Sequence, residues 1–186
     1  MENPVRGLYV GRFQPFHRGH LEVVRTILEA TPEIDVVLAI GSAEQAFTWE
    51  NPFTAGERYE MIDRALRDAK LARTVIVPVQ DISRHALWVR YLEELLPPFQ
   101  RVYTHNPLTH LLFQRAGYPV ENPPLFDRVL HEGSRIREML ARGQDIQALV
   151  PSAVDRYLKE IGATDRLRLL RPPRPTPPTH RQPTGD

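Results

Sequence analysis

Residues 5–20 read VRGLYVGRFQPFHRGH: an apolar run, a turn at Gly11, a loop of cationic and aromatic side chains, and the first residues of an amphipathic segment. Val5–Val10 has the pattern of a buried strand, and Leu21, Val23, Val24, Ile27 and Leu28 then fall on one helical face. The alternation continues outward from this unit. Ile34–Ile40 and Thr74–Val79 read as strands, with a shorter one over Arg101–Thr104. Between and after them, helices are expected from the Thr54–Glu57 capping box, over Ala86–Leu96, from Asn106-Pro107, and over Ser134–Ala141 and Ser152–Ile161. Strand and helix in alternation imply an α/β, Rossmann-like doubly wound parallel sheet with helices on both faces, and a short helical C-terminal segment. In such sheets ligands bind outside the carboxyl ends of the strands, here the loops after Val10, Ile40, Val79 and Thr104.

Composition narrows the function classes. Lys and Arg number 24 against 23 Asp and Glu, a net charge of +1, so no excess draws the chain to nucleic acid or to an anionic membrane. With 41% hydrophobic residues, the 186-residue chain can bury one substantial core. That core is assigned to residues 1–170. Residues 171–186 hold six of the 18 prolines and almost no large apolar side chain, and are expected to form a Pro-rich disordered tail. The absence of cysteine excludes disulfides, thiolate nucleophiles and Cys-type zinc sites. No stretch approaches the ~18 apolar residues of a membrane span, and MENPVRGLYV lacks a leader pattern, so a cytoplasmic protein is expected.

The loop Gly11–His20 contains His-x-Gly-His at the entrance to a helix. Helix N-termini carry unpaired N–H groups and partial positive charge, which favours a phosphate. Gly11 and Gly19 would let it approach the backbone, His17 and His20 could aim ring N–H donors at it, and Arg12 offers a guanidinium fork. The bland alternative is that the two histidines cap or pack locally. Zinc is disfavoured because no carboxylate stands near to complete a ligand set, and a P-loop is excluded by the lack of a Lys-Ser/Thr ending.

GRFQPFHRGH, AIGSA at 39–43, NPFTAGER at 51–58, ALWV at 86–89, NPL at 106–108 and GSRIR at 133–137 together resemble the archaeal-type nicotinamide-nucleotide adenylyltransferases, a branch of the His-x-Gly-His nucleotidyltransferases. The resemblance runs from about Arg6 to Arg168. It implies transfer of the adenylyl group of ATP to nicotinamide mononucleotide with Mg²⁺ held through the phosphates, in NAD synthesis, by a homo-oligomer. It also implies that His17, His20, Arg12 and Arg137 act on the transferred phosphates, with Gly11, Phe13, Gly19 and Ser134 completing the ATP site. The acceptor would meet Asp81, Trp88 and Asn106, with the Trp88 indole stacked on the pyridinium. Taken without the resemblance, a helical Trp is as readily core, and Ser134 reads as an ordinary N-cap.

Two positions depart from the family. Glu50 stands where many relatives have Arg before the Asn/Asp-Pro-Phe-Thr phrase, and His85 where many have Asn before Ala-Leu-Trp. Glu50 is therefore expected to turn to solvent, with Arg84 supplying the cation and His85 assisting as a donor. These departures leave open the same chemistry on nicotinate mononucleotide or phosphopantetheine, and a catalytically silent nucleotide sensor.

Overall fold

In the computed structural model the strand reading at the N-terminus holds: β1 is Val5–Gly11, followed by helix α1, Arg18–Ala30. The structure describes residues 4–82, 84–123 and 132–172. Then come β2 (Ile34–Ile40), α2 (Ala55–Asp68), β3 (Thr74–Pro78), α3 (His85–Leu95), β4 (Arg101–Tyr103) and α4 (Pro107–Arg115). The chain closes with β5 (Val120–Glu121), α5 (Gly133–Ala141), α6 (Ser152–Glu160) and α7 (Ala163–Leu170).

All four strand pairings are parallel, in the order β3-β2-β1-β4-β5. The order reverses at β1, so the loops after β1 and β4 splay apart and leave a crevice at the carboxyl edge. Along the central strands, side chains alternate between two apolar layers. Tyr9, Val36, Leu38, Ile40 and Tyr103 pack with α1, α2 and α5–α7. Leu8, Val37, Ala39 and Val102 pack with α3 and α4 around Trp88, Leu92 and Phe113.

The capping signals behave as their chemistry requires. Thr54 accepts from the Glu57 N–H while the Glu57 carboxylate accepts from the Thr54 N–H, and Asn106 accepts from Leu108 and Thr109. One cap differs from the sequence reading. Helix α5 starts at Gly133 with Glu132 as its N-cap residue and no side-chain cap, so Ser134 lies inside the first turn. The reason is steric: a Cβ at residue 133 would lie 3.0 Å from the Gln14 carbonyl, and glycine lets the helix begin against that loop. Beyond Pro172 the Pro-rich stretch lies outside the described residues. Arg171, its first residue, pairs with Glu138 of α5. No described helix is long and apolar enough to cross a membrane.

Candidate active site

His17 is the N-cap residue of α1, and its Nδ1 accepts the His20 backbone N–H at 3.3 Å, while His20 Nδ1 accepts the His17 backbone N–H at 3.3 Å. The two histidines thus form a capping box, and the rings stack with centroids 3.5 Å apart. A ring nitrogen that accepts a backbone hydrogen bond carries no proton, so in each neutral imidazole the proton sits on Nε2. Local capping, the bland alternative, is therefore present, and it fixes the tautomer that an anion needs. The first-turn N–H groups of Arg18 and His20 are engaged by the Leu149 carbonyl and by His17, so the α1 terminus offers its dipole more than those two donors.

Phe13 holds this arrangement from below. Its side chain is 1% exposed, its φ is +52°, and its ring meets His20 edge-on at 4.9 Å. Gly11 makes room for it, since a Cβ there would lie 2.7 Å from the Phe13 ring. The role that the structure gives Gly11 is one of packing against Phe13. Gly19 is buried in the first turn of α1.

Two residues that carried no assignment in the sequence tie the loops together. Gln14 pairs through its side-chain amide with both the N–H and the carbonyl of Phe53, at 3.0 and 2.9 Å, and its backbone carbonyl accepts from Arg137 Nη1 at 2.8 Å. Arg58, fully buried, donates to the carbonyls of Arg12, Gly41, Ser42 and Thr54 at 2.8 to 3.2 Å. Helix α2 thereby clamps the loops after β1 and β2. Burial draws the Arg58 guanidinium down to about 10, with Glu44 and Asp81 opposing and Arg12 adding to the fall. Arg137, also buried, is lowered by burial first and by Arg12 next, against Glu50 and Glu132, and its Nε has no hydrogen-bond partner among the described residues. Arg12 itself is exposed, and its charge acts on both buried guanidiniums.

A cavity of about 580 Å³ lies over the carboxyl ends of β1 to β4. Its walls include Gly11, Arg12, Ser42, Glu44, Asp81, His85, Trp88 and Asn106. Trp88 is both core and wall: it is 8% exposed, packs edge-on against Phe113 at 5.7 Å, and still borders the cavity. Asp81 accepts from the Ser42 hydroxyl at 2.6 Å and donates its N–H to Glu44 at 3.1 Å.

The structure therefore gathers Asp81, His85, Trp88 and Asn106 with Gly11 and Arg12 around one cavity. His17, His20, Ser134 and Arg137 stand at the neighbouring helix entrances and are not part of its lining; Arg137 is tied to the β1 loop through the Gln14 carbonyl. Arg84 is the exposed N-cap residue of α3 and does not line the cavity, whereas Glu50 is exposed, as expected, and close enough to influence Arg137. Asn106 spends its carbonyl oxygen on the α4 cap. Gln14 and Arg58 could have been noticed only as polar residues inside otherwise apolar patterns.

Residues 8–139 match the cytidylyltransferase-like family model. Over 169 residues the chain is 42% identical to a nicotinamide-nucleotide adenylyltransferase of Archaeoglobus fulgidus, covering 88% of this chain and 96% of that protein. Over 163 residues it is 45% identical to a protein of the same name from Methanolobus tindarius, with 88% and 92% covered. Among solved structures, a bifunctional NMN adenylyltransferase/ADP ribose pyrophosphatase of Francisella tularensis, complexed with AMP and a Mn ion, superposes with a TM-score of 0.69 at 20% identity. That match covers 90% of this chain and 52% of the other, so the chain spans about half of that bifunctional protein; the likeness is one of fold.

Proposed function

The chain belongs to the cytidylyltransferase-like family, alongside its nicotinamide-nucleotide adenylyltransferases, and from that premise we propose that it transfers the adenylyl group of ATP to nicotinamide mononucleotide, releasing NAD and pyrophosphate. The observation that carries this reading is the pairing of a fixed pair of imidazole donors and the Arg137 guanidinium at the helix entrances with a cavity walled by Arg12 and the Trp88 indole.

The reaction forms a bond from a phosphate oxygen of the mononucleotide to the α-phosphorus of ATP and breaks the bond from that phosphorus to the β-bridging oxygen. The attacking phosphate is ionised at neutral pH, so no general base is needed and catalysis consists of alignment and charge stabilisation. His17 and His20 donate through Nε2 to phosphate oxygens, their tautomers set by the reciprocal cap. Arg137 holds the β- and γ-phosphates with Ser134 in the uncapped first turn of α5, and Arg12 spans donor and acceptor phosphates as the exposed guanidinium between them. Trp88 supplies the face on which the pyridinium stacks, with Asp81 and His85 contacting its substituent and Asn106 at the rim.

The donors at the phosphate end are N–H groups and one hydroxyl, which suit anions. No group of three or more His, Asp or Glu among the described residues is placed to hold a metal ion. His17, His20, Arg12 and Arg137 would hold the ATP phosphates, and Mg²⁺ bound with ATP would supply neutralisation of their charge.

The test is pyrophosphate release from ATP with nicotinamide mononucleotide, nicotinate mononucleotide and phosphopantetheine offered separately. Turnover with the first supports the reading. Turnover with phosphopantetheine alone moves the chain to another acceptor class, and ATP binding without turnover on any acceptor makes it a sensor.

A further inference from the structure

We propose that Glu44 sets the acceptor preference of this site, its carboxylate selecting a mononucleotide whose ring bears a carboxamide over one whose ring bears a carboxylate. The inference rests on the adenylyl-transfer reading above and deepens it.

Glu44 borders the same cavity as Asp81, Ile82, His85 and Trp88. It is held in place: its Oε2 accepts the Asp81 N–H at 3.1 Å and its Oε1 accepts from Gln45 Nε2 at 3.4 Å. Asp81 in turn is fixed by the Ser42 hydroxyl at 2.6 Å. Two carboxylates thus face one cavity, oriented by hydrogen bonds from neutral donors. The charges of both are felt by Arg58, fully buried behind the loops. The exposed guanidinium of Arg12 borders the same cavity.

Such a cavity presents both a guanidinium and a pair of carboxylates. It complements a molecule with a phosphate at one end and a pyridinium at the other, which describes both the amide and the acid mononucleotide. Attraction of the pyridinium to Glu44 and Asp81 is common to the two and cancels in any comparison. What differs is the ring substituent. A carboxylate there meets two like charges held by neutral donors, whereas a carboxamide can donate its N–H to either one. Asp81 alone would repel the acid form; Glu44 doubles the charge and fixes the Asp81 backbone beside it.

The experiment measures kcat/KM for nicotinamide and nicotinate mononucleotides in the wild type, Glu44→Gln and Glu44→Asp. Glutamine keeps an acceptor for the Asp81 N–H while removing the charge. The ratio of the two acceptors cancels the fraction of active protein in each preparation. The ratio is expected to fall about tenfold in Glu44→Gln, equivalent to 1.4 kcal/mol, through a lower KM for the acid form, and to stay nearer wild type in Glu44→Asp. A Glu44→Gln ratio within twofold of wild type overturns the proposal, including the case where both acceptors weaken together because the residue only braces Asp81. Failure of the wild type to use either mononucleotide is a different result, and it overturns the adenylyl-transfer reading together with this one.

Discussion

His17 and His20 cap each other at the entrance to α1, each Nδ1 accepting the other's backbone N–H at 3.3 Å. The pair therefore does two jobs, ending a helix and directing two Nε2 protons, and substitution can separate them. Asparagine is a preferred N-cap residue, so His17→Asn should keep the cap while losing the Nε2 donor. Its melting temperature should stay within about 3 °C of wild type, while kcat falls roughly 100-fold or more. His20→Ala should lose a similar factor in kcat. If both variants kept more than about a third of wild-type kcat, the histidines would be caps alone.

Arg58 places one buried cation on four backbone carbonyls. Arg58→Met leaves those acceptors without their donor, at about 1 to 3 kcal/mol for each that stays dry. With about 2 to 4 °C of melting temperature per kcal/mol for a chain of this size, a drop of roughly 6 °C or more is expected by calorimetry. Arg58→Lys should drop less in melting temperature but still lower kcat, because an ammonium cannot span all three segments. A loss under about 2 °C in Arg58→Met would mean that water takes over the clamp.

The pair of Glu57 with Arg166, at 2.7 and 2.8 Å, docks α7 onto the first turn of α2. Burial, the largest influence, pushes the Glu57 carboxyl up, but the hydrogen bonds from Arg166 and Thr54 and the Arg166 charge outweigh it, and the net result lies below the ordinary 4.5. A depressed folded-state value contributes stability that is present above the unfolded value and lost as pH falls through the folded one. The wild type should therefore lose melting temperature more steeply than Arg166→Met on acidification from about pH 5 to 3. Parallel curves would show that the ion pair does not couple to folding.

Truncation after Pro172 removes no described contact, whereas truncation after Leu170 also removes the Arg171 pairing with Glu138. Because Glu138 keeps Arg142 as a partner at 2.6 Å, both shortened proteins should melt within about 2 °C of the full chain and retain its activity. A larger loss would place residues 173–186 against the folded body or a second copy of the chain.

Much of the fold was legible because periodicity and caps agree locally. Ile34–Ile40 reads as a continuous apolar run and is β2 to the residue, and Thr54–Glu57 is a capping box in both readings. Strand β5, two residues long, and α7, with three charged residues among eight, carry too little pattern to be read alone. At the site, the phrases around Trp88 pointed to side chains that line one cavity, while the His-x-Gly-His pair stands at the α1 entrance outside its lining. Gln14 and Arg58 were invisible for a physical reason: their partners are backbone carbonyls and N–H groups distant in sequence, which no spacing encodes. Arg84 is the exposed N-cap residue of α3, and its neighbour His85 lines the cavity wall.

The central claim is that this crevice moves an adenylyl group, and isotopic labelling of ATP tests it most directly. With nicotinamide mononucleotide and Mg²⁺, label in the α-phosphate should appear in NAD and label in the γ-phosphate in pyrophosphate, in equal amounts, and both should fall together in His20→Ala. Label from the γ-phosphate emerging as inorganic phosphate or on the acceptor, with the α-label retained in ADP, would contradict it.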